Sequence, residues 1–362
     1  MVGTRKTISN AEESGWWWRR LDELRCLVEG KTPVLVIDEE VINDTFFDLL
    51  CLDPVKRVFH TPSLAPHPLL TEKAIQMGMG LKCYSPQELS TIKPVHPHSN
   101  PYYLFLLKSS STIQEILSLK LDNLKIALPP AMVEEALALG INPHHILLVY
   151  YFPFKLPLEG QHLPVKGIYL VPRQRPLSPS DLHNLDLILN KVKGVSEDFL
   201  LVLSAGLGIS IAPESGTIKL FSTQAALEEI SQALPNNPLW IDPGGLIFSG
   251  AINLFLKVRG VKRVSSKAYA FVDLDPLLLS SLLGGGTPHL VLNLSHPAPE
   301  RAERLPSQLH FAGLIPCPDG TSPGDLLTIT NAWPWAVKGQ KGLPSCLRVE
   351  YLKARRICQV RI

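Results

Sequence analysis

What this sequence lacks narrows its function before any motif is read. Its six cysteines, Cys26, Cys51, Cys83, Cys317, Cys346 and Cys358, lie far apart with no short paired spacing. That pattern excludes a disulfide framework or a cysteine zinc site and fits reduced thiols in a cytoplasm. No apolar run is long enough to span a bilayer, and the opening residues show no basic, apolar, small-residue leader. No membrane role is expected, and the expected location is cytoplasmic. Lys and Arg number 35 against 33 Asp and Glu, a net charge of +2, and no basic block is read. Nucleic-acid binding therefore has no electrostatic support. The histidines His60 and His67, His96 and His98, and His144 and His145 lack helical i,i+4 spacing and an accompanying Glu motif. No metal site is expected of them, because such sites need three or four convergent ligands.

What is present is an ordinary globular composition, 45% hydrophobic and 19% charged over 362 residues, with 32 prolines that often stand where a strand meets a loop. No low-complexity linker divides the chain. From 56 to 245, apolar strand patterns alternate with amphipathic helical ones. Strands are expected at 57–62, 80–85, 102–108, 124–128, 146–152, 167–171, 199–204 and 238–241, with helices such as 111–119, 131–139 and 223–234 between them. Eight βα units predict an α/β fold, a (β/α)8 barrel with its site at the C-terminal ends of the strands. After Gly245 the pattern turns to short strands at 255–264, 268–274 and 326–330, an antiparallel β domain. The expected division is a helical extension over 1–30, a β domain from 31–55 and 246–362, and the barrel over 56–245.

The segment Phe59-His60-Thr61-Pro62-Ser63-Leu64-Ala65-Pro66-His67-Pro68 closes the first barrel strand and enters a helix over 69–77. The second strand follows as Gly80-Leu81-Lys82-Cys83-Tyr84-Ser85. This run resembles the opening of the fold-type III pyridoxal-phosphate (PLP) decarboxylases, the ornithine and diaminopimelate decarboxylase group. Their first barrel strand reads Tyr-Ala-Val-Lys-Ala-Asn-Pro-x-Pro. Pro66 and Pro68 fall on the two prolines, and Ser63 falls on the lysine that forms the Schiff base with PLP. Asp242-Pro243-Gly244-Gly245 resembles Glu-Pro-Gly-Arg, whose acid faces the pyridinium nitrogen and strengthens the cofactor as an electron sink. Ser204-Ala205-Gly206-Leu207-Gly208 resembles the glycine-rich phosphate loop. A plain tight turn explains Gly206 and Gly208 equally well. The resemblance covers about residue 30 to 355 and implies an alanine racemase-like TIM barrel, a C-terminal β domain joined by the strand at 32–38, and a dimer.

Several positions depart from the family. Val171 stands where a histidine stacks on the PLP ring, and Gly245 replaces the arginine. Trp335, in Asn331-Ala332-Trp333-Pro334-Trp335, stands near the tyrosine that binds the phosphate; an indole donates one hydrogen bond but does not copy a phenol. Cys317 resembles the catalytic cysteine supplied across the dimer, and Asp319 is a candidate for the substrate-binding aspartate after it. The positions implied for a cofactor are thus Gly206, Gly208, Asp242, Gly244 and Trp335.

Lys82 takes the place of an aspartate that points into the barrel beside the missing lysine. A desolvated lysine there would have a depressed pKa and be nucleophilic. The alternative is a lysine that fills space and pairs with Asp242 or Glu88. Two functional readings follow. One is a decarboxylase-like protein that has lost PLP catalysis and serves as a binding or regulatory partner, as a homodimer or a heterodimer with a related decarboxylase. It needs no cofactor and retains room for an amino-acid-like or phosphate ligand. The other is an active lyase, with Lys82, Cys317 and His60 as catalytic candidates beside Cys83 and Asp242. That lyase is PLP-dependent through Lys82 or independent of PLP. Arg173 and Arg175 are candidate anion contacts or solvated charges. The run Trp16-Trp17-Trp18-Arg19-Arg20 heads a helix and reads either as packing on the β domain or as a partner-docking hot spot.

Overall fold

The computed structural model describes residues 16–64, 68–90, 92, 101–152, 165, 167–172, 200–204, 210–211, 218–219, 227–228, 230–232, 238–244, 246–283, 289–297, 302–305, 314–332 and 347–353. From the N-terminus, helices α1 (Trp16–Arg19) and α2 (Leu21–Val28) precede strand β1 (Val34–Asp38) and helix α3 (Glu39–Leu50). Strands β2 (Val55–His60), β3 (Gly80–Cys83), β4 (Tyr103–Leu106), β5 (Leu124–Leu128), β6 (Ile146–Phe152), β7 (Gly167–Pro172) and β8 (Leu200–Ser204) follow. Helices α4 (Pro68–Gln76), α5 (Pro86–Ser90), α6 (Ile113–Ser118) and α7 (Val133–Ala138) lie between them. The short pair β9 (Ser210–Ile211) and β10 (Ile218–Lys219) precedes β11 (Leu239–Asp242). The remainder is β12 (Ile252–Val264), β13 (Lys267–Val272), β14 (His289–Asn293), β15 (Glu303–Leu305), β16 (Leu314–Cys317), β17 (Leu326–Ile329) and β18 (Arg348–Leu352). The chain divides into two compact units, one of residues 1–45, 211–218 and 247–362, the other of 46–210 and 219–246.

In the second unit β2 to β8 and β11 close into a barrel in which every neighbouring pair is parallel. Side chains on a strand alternate between faces, so Phe59, Leu104, Ala127, Leu147, Val149, Tyr169, Val202 and Trp240 fill the interior as one buried cluster. Two glycines make room for that filling. A Cβ on Gly80 would stand 2.6 Å from the Phe59 ring, and one on Gly167 would stand 2.6 Å from the Leu200 carbonyl oxygen. On the outer layer, Leu70 and Ala74 of α4 lie one turn apart and are both buried, the pattern of an amphipathic helix against a sheet.

The first unit is built around the order β15-β14-β17-β12-β1-β18, with β13 and β16 extending from β12. The strand expected to join the C-terminal β domain does so. β1 pairs antiparallel with β12 and parallel with β18, which makes the sheet mixed rather than wholly antiparallel. Trp17, Leu24 and Val28 of α1 and α2 are buried against Val34, Val36, Phe255 and Leu292. Trp17 of the tryptophan run is thus part of its own unit's core. Asp38 ends β1 and starts α3: its Oδ1 accepts from the backbone N–H of Glu40 at 2.8 Å and of Val41 at 3.1 Å, an N-cap. Among the described residues no helix is long and apolar enough to cross a membrane.

Candidate functional site

The C-terminal ends of β2, β3, β7, β8 and β11 bring a polar group together inside the barrel. The register of β11 on β8 sets Asp242 beside Ser204. Counting by twos along each strand, Lys82 and Tyr169 point inward with Phe59 and Trp240. Asp242 is the hub. Its Oδ2 accepts from Lys82 Nζ at 2.5 Å and from the Tyr169 hydroxyl at 2.6 Å. Its Oδ1 accepts from Gly244 N at 3.0 Å, with the Thr61 hydroxyl at 3.5 Å. Ser204 in turn donates to the Tyr169 oxygen. Lys82 and Asp242 are only 3% and 1% exposed, so the pair is closed off from water. The Lys82 ammonium also lies 4.9 Å from the centroid of the Tyr84 ring and 5.6 Å from that of Tyr169.

These contacts decide the charge states. Burial by itself pushes Lys82 down, but the Asp242 carboxylate outweighs it and holds the lysine well above its ordinary value. Of the two readings of Lys82, these contacts favour the pair: Lys82 is an ammonium bound to a carboxylate, not a free amine. The partner is Asp242, and Glu88 acts on Lys82 only from a distance. Burial and the neighbouring Asp242 charge push the Tyr169 phenol up, so it stays a neutral donor.

Other expected residues fall elsewhere. Phe59 and Thr61 point inward, so His60 between them points to the helical layer. There its Nε2 lies 2.8 Å from Thr71 Oγ1 and its ring stands 6.4 Å from that of Phe46. Strand alternation thus sets His60, a catalytic candidate of the lyase reading, outside the barrel interior as a core histidine. Burial also lowers its pKa to about 3, which keeps it neutral. Cys83 follows inward-facing Lys82 and so faces outward, where burial pushes its thiol up. Ser63 is exposed on a 3-10 turn over Pro62–Leu64 and hydrogen-bonds Glu88. Cys317 is buried at the end of β16 in the first unit, its thiol raised by burial, and Asp319 is exposed. Gly206, Gly208, Trp335, Gly245, Arg173 and Arg175 lie outside the described residues. Among the described residues no group of three His, Cys, Asp or Glu is placed to hold a metal ion.

Tyr169, Thr61 and Ser204 are the members of the cluster that sequence reasoning did not select. A signal for Tyr169 existed: Gly167, Tyr169 and Val171 share a face by period two, and a phenol in a barrel interior needs an acceptor.

No family model matches the sequence, and no curated protein matches it. Solved structures do. The lysine decarboxylase from Selenomonas ruminantium superposes with a TM-score of 0.63 at 15% identity, covering 94% of this chain and 96% of that one. The lysine/ornithine decarboxylase from Vibrio vulnificus gives 0.65 at 14% identity, covering 93% and 99%. The arginine decarboxylase of Paramecium bursaria Chlorella virus gives 0.65 at 12%, covering 92% and 100%. With its closed parallel barrel and separate β unit, the chain has the fold of the fold-type III PLP decarboxylases.

Proposed function

We propose that this chain is a decarboxylase-like protein without PLP catalysis, which acts as a binding or regulatory partner, as a homodimer or beside a related decarboxylase. The observation that carries the reading is the closed Lys82–Asp242 pair. The carboxylate that resemblance sets against the pyridinium nitrogen already has an internal cation, a phenol donor and a backbone N–H. A second cation, a protonated pyridine ring, would have to displace Lys82 and bury that charge elsewhere at a cost of several kcal/mol, about the penalty of an unpaired buried ion. Ser63 offers a hydroxyl, which does not form an imine, and Val171 offers no aromatic plane. The residues present therefore do not fit PLP as that family holds it. The loss also fits the electrostatics: exchanging an inward aspartate for Lys82 supplies, from within the chain, the positive charge that Asp242 needs.

The test is the near-ultraviolet and visible spectrum of the purified protein, with and without added PLP, after desalting. The reading predicts no retained aldimine band. A retained band that borohydride bleaches, and that Lys82→Ala abolishes, would overturn it in favour of a lyase rewired onto Lys82.

A further inference from the structure

The sheet formed by β12, β13 and β16 carries a concentration of charge that the barrel cluster does not use. Residues 257–267 hold five cations, Lys257, Arg259, Lys262, Arg263 and Lys267, and no Asp or Glu. All five are exposed, and none is in an ion pair among the described residues. The ladder shifts register between Val258 and Gly260, which leaves Arg259 as the extra residue of a bulge.

Beyond the bulge the pairing sorts the side chains. Lys262 lies opposite Tyr269, Val264 opposite Lys267, and Gly260 opposite Phe271, while β16 sets Leu314 beside Phe271. Opposed residues share a face. Ala268, Ala270, Ile315 and Cys317 are the buried residues of one face, which Arg263, opposite Ala268, also joins, so that Lys262 and Lys267 are the paired cations of the other face. Lys262, Val264, Lys267, Tyr269, Phe271 and Leu314 make up the other. On it Phe271 is 42% and Val264 49% exposed, and Leu314 and Tyr269 are partly so. Gly260 keeps the surface beside Phe271 low: a Cβ there would meet the ring at 3.6 Å.

We propose that this face docks an acidic, partly apolar segment of a partner protein. The inference rests on the reading of the chain as a binding partner and names the chemistry of what it binds. Aromatic and aliphatic side chains left in water beside unpaired cations are the two halves of an interface: burial of the apolar group supplies affinity, and the charges choose the partner and speed the encounter. Carboxylates are the complement of the lysines. Nucleic acid is the poorer fit, because a net charge of +2 gives no long-range field.

The test is fluorescence anisotropy on the full chain with three labelled probes of equal length: a peptide of glutamates interspersed with leucine and phenylalanine, a polyglutamate, and an oligouridylate. The mixed peptide is expected to bind best. Lys262→Glu with Lys267→Glu should weaken it about tenfold or more, Phe271→Ser should weaken it several-fold, and Lys56→Glu, an exposed cation of the barrel unit, should leave it unchanged. Equal binding by all variants, equal binding of polyglutamate, or tighter binding of the oligouridylate would each overturn the proposal. The two readings fail separately. A protein free of cofactor that ignores the mixed peptide sinks the docking face alone. A protein that retains PLP yet binds the peptide sinks only the non-catalytic reading.

Discussion

Asp38 and Asp242 each end a strand, each lie buried and each accept from one cation, Arg20 at 2.8 Å in the β unit and Lys82 at 2.5 Å in the barrel. Their other partners differ. Asp38 caps α3 through two backbone N–H groups, and Arg20 uses its remaining donors on Glu23 and the Lys353 carbonyl oxygen. That pair is a fixture of helix start and chain packing. Asp242 is held mainly by side chains reaching in from other strands, Lys82 from β3 and Tyr169 from β7. The contrast separates a carboxylate whose remaining donors are backbone N–H groups of its own helix start from one whose remaining donors are mostly side chains of other parts of the chain.

Breaking the barrel pair should cost most. Lys82→Met leaves Asp242 buried without its cation and is expected to destabilise the chain by about 3–5 kcal/mol in urea unfolding. Adding Asp242→Asn should recover much of that loss, because the uncompensated charge goes with it. A single-variant cost below about 1 kcal/mol would mean that the pair is solvated and the site open. Arg20→Met should cost less, about 1.5–3 kcal/mol, the range for hydrogen bonds to a charged group, since the cap of α3 survives. An Arg20 effect larger than the Lys82 effect would break the comparison.

The smallest effect concerns a neighbour that faces away from the cluster. His60 has a folded-state pKa lowered from 6.5 to about 3, so the unfolded chain takes up the proton first. Its contribution to stability is complete above 6.5 and is lost as pH falls toward about 3, with a slope of at most about 1.4 kcal/mol per pH unit. Stability measured at about pH 7 and about pH 5 should fall less in His60→Leu than in the parent chain. An unchanged difference would place the acid sensitivity in another group.

The barrel was legible in the sequence because its strands are short apolar runs bounded by Pro and Gly, and all eight appear within a few residues of their expected places. Side-chain direction was less legible. His60 and Lys82 looked alike as polar residues on barrel strands, and only alternation from Phe59 sends the first outward and keeps the second within. The pKa of Lys82 needed the distance to Asp242, since burial and a neighbouring carboxylate push a lysine in opposite directions. Helix α3 was missed although Asp38-Glu39-Glu40 is a serviceable cap signal with two acids in the first turn. The basic ribbon at 257–267 was missed because net charge averages over the chain and hides a local run.

The most direct test of the closed pair is trapping. The protein is mixed with excess PLP at neutral pH, reduced with borohydride, and mapped by peptide mass. The account predicts that exposed lysines such as Lys56 and Lys120 take up the pyridoxyl group while Lys82 stays unmodified, because it is a buried ammonium held by Asp242. Stoichiometric labelling of Lys82 would contradict the account and make that residue the cofactor's anchor.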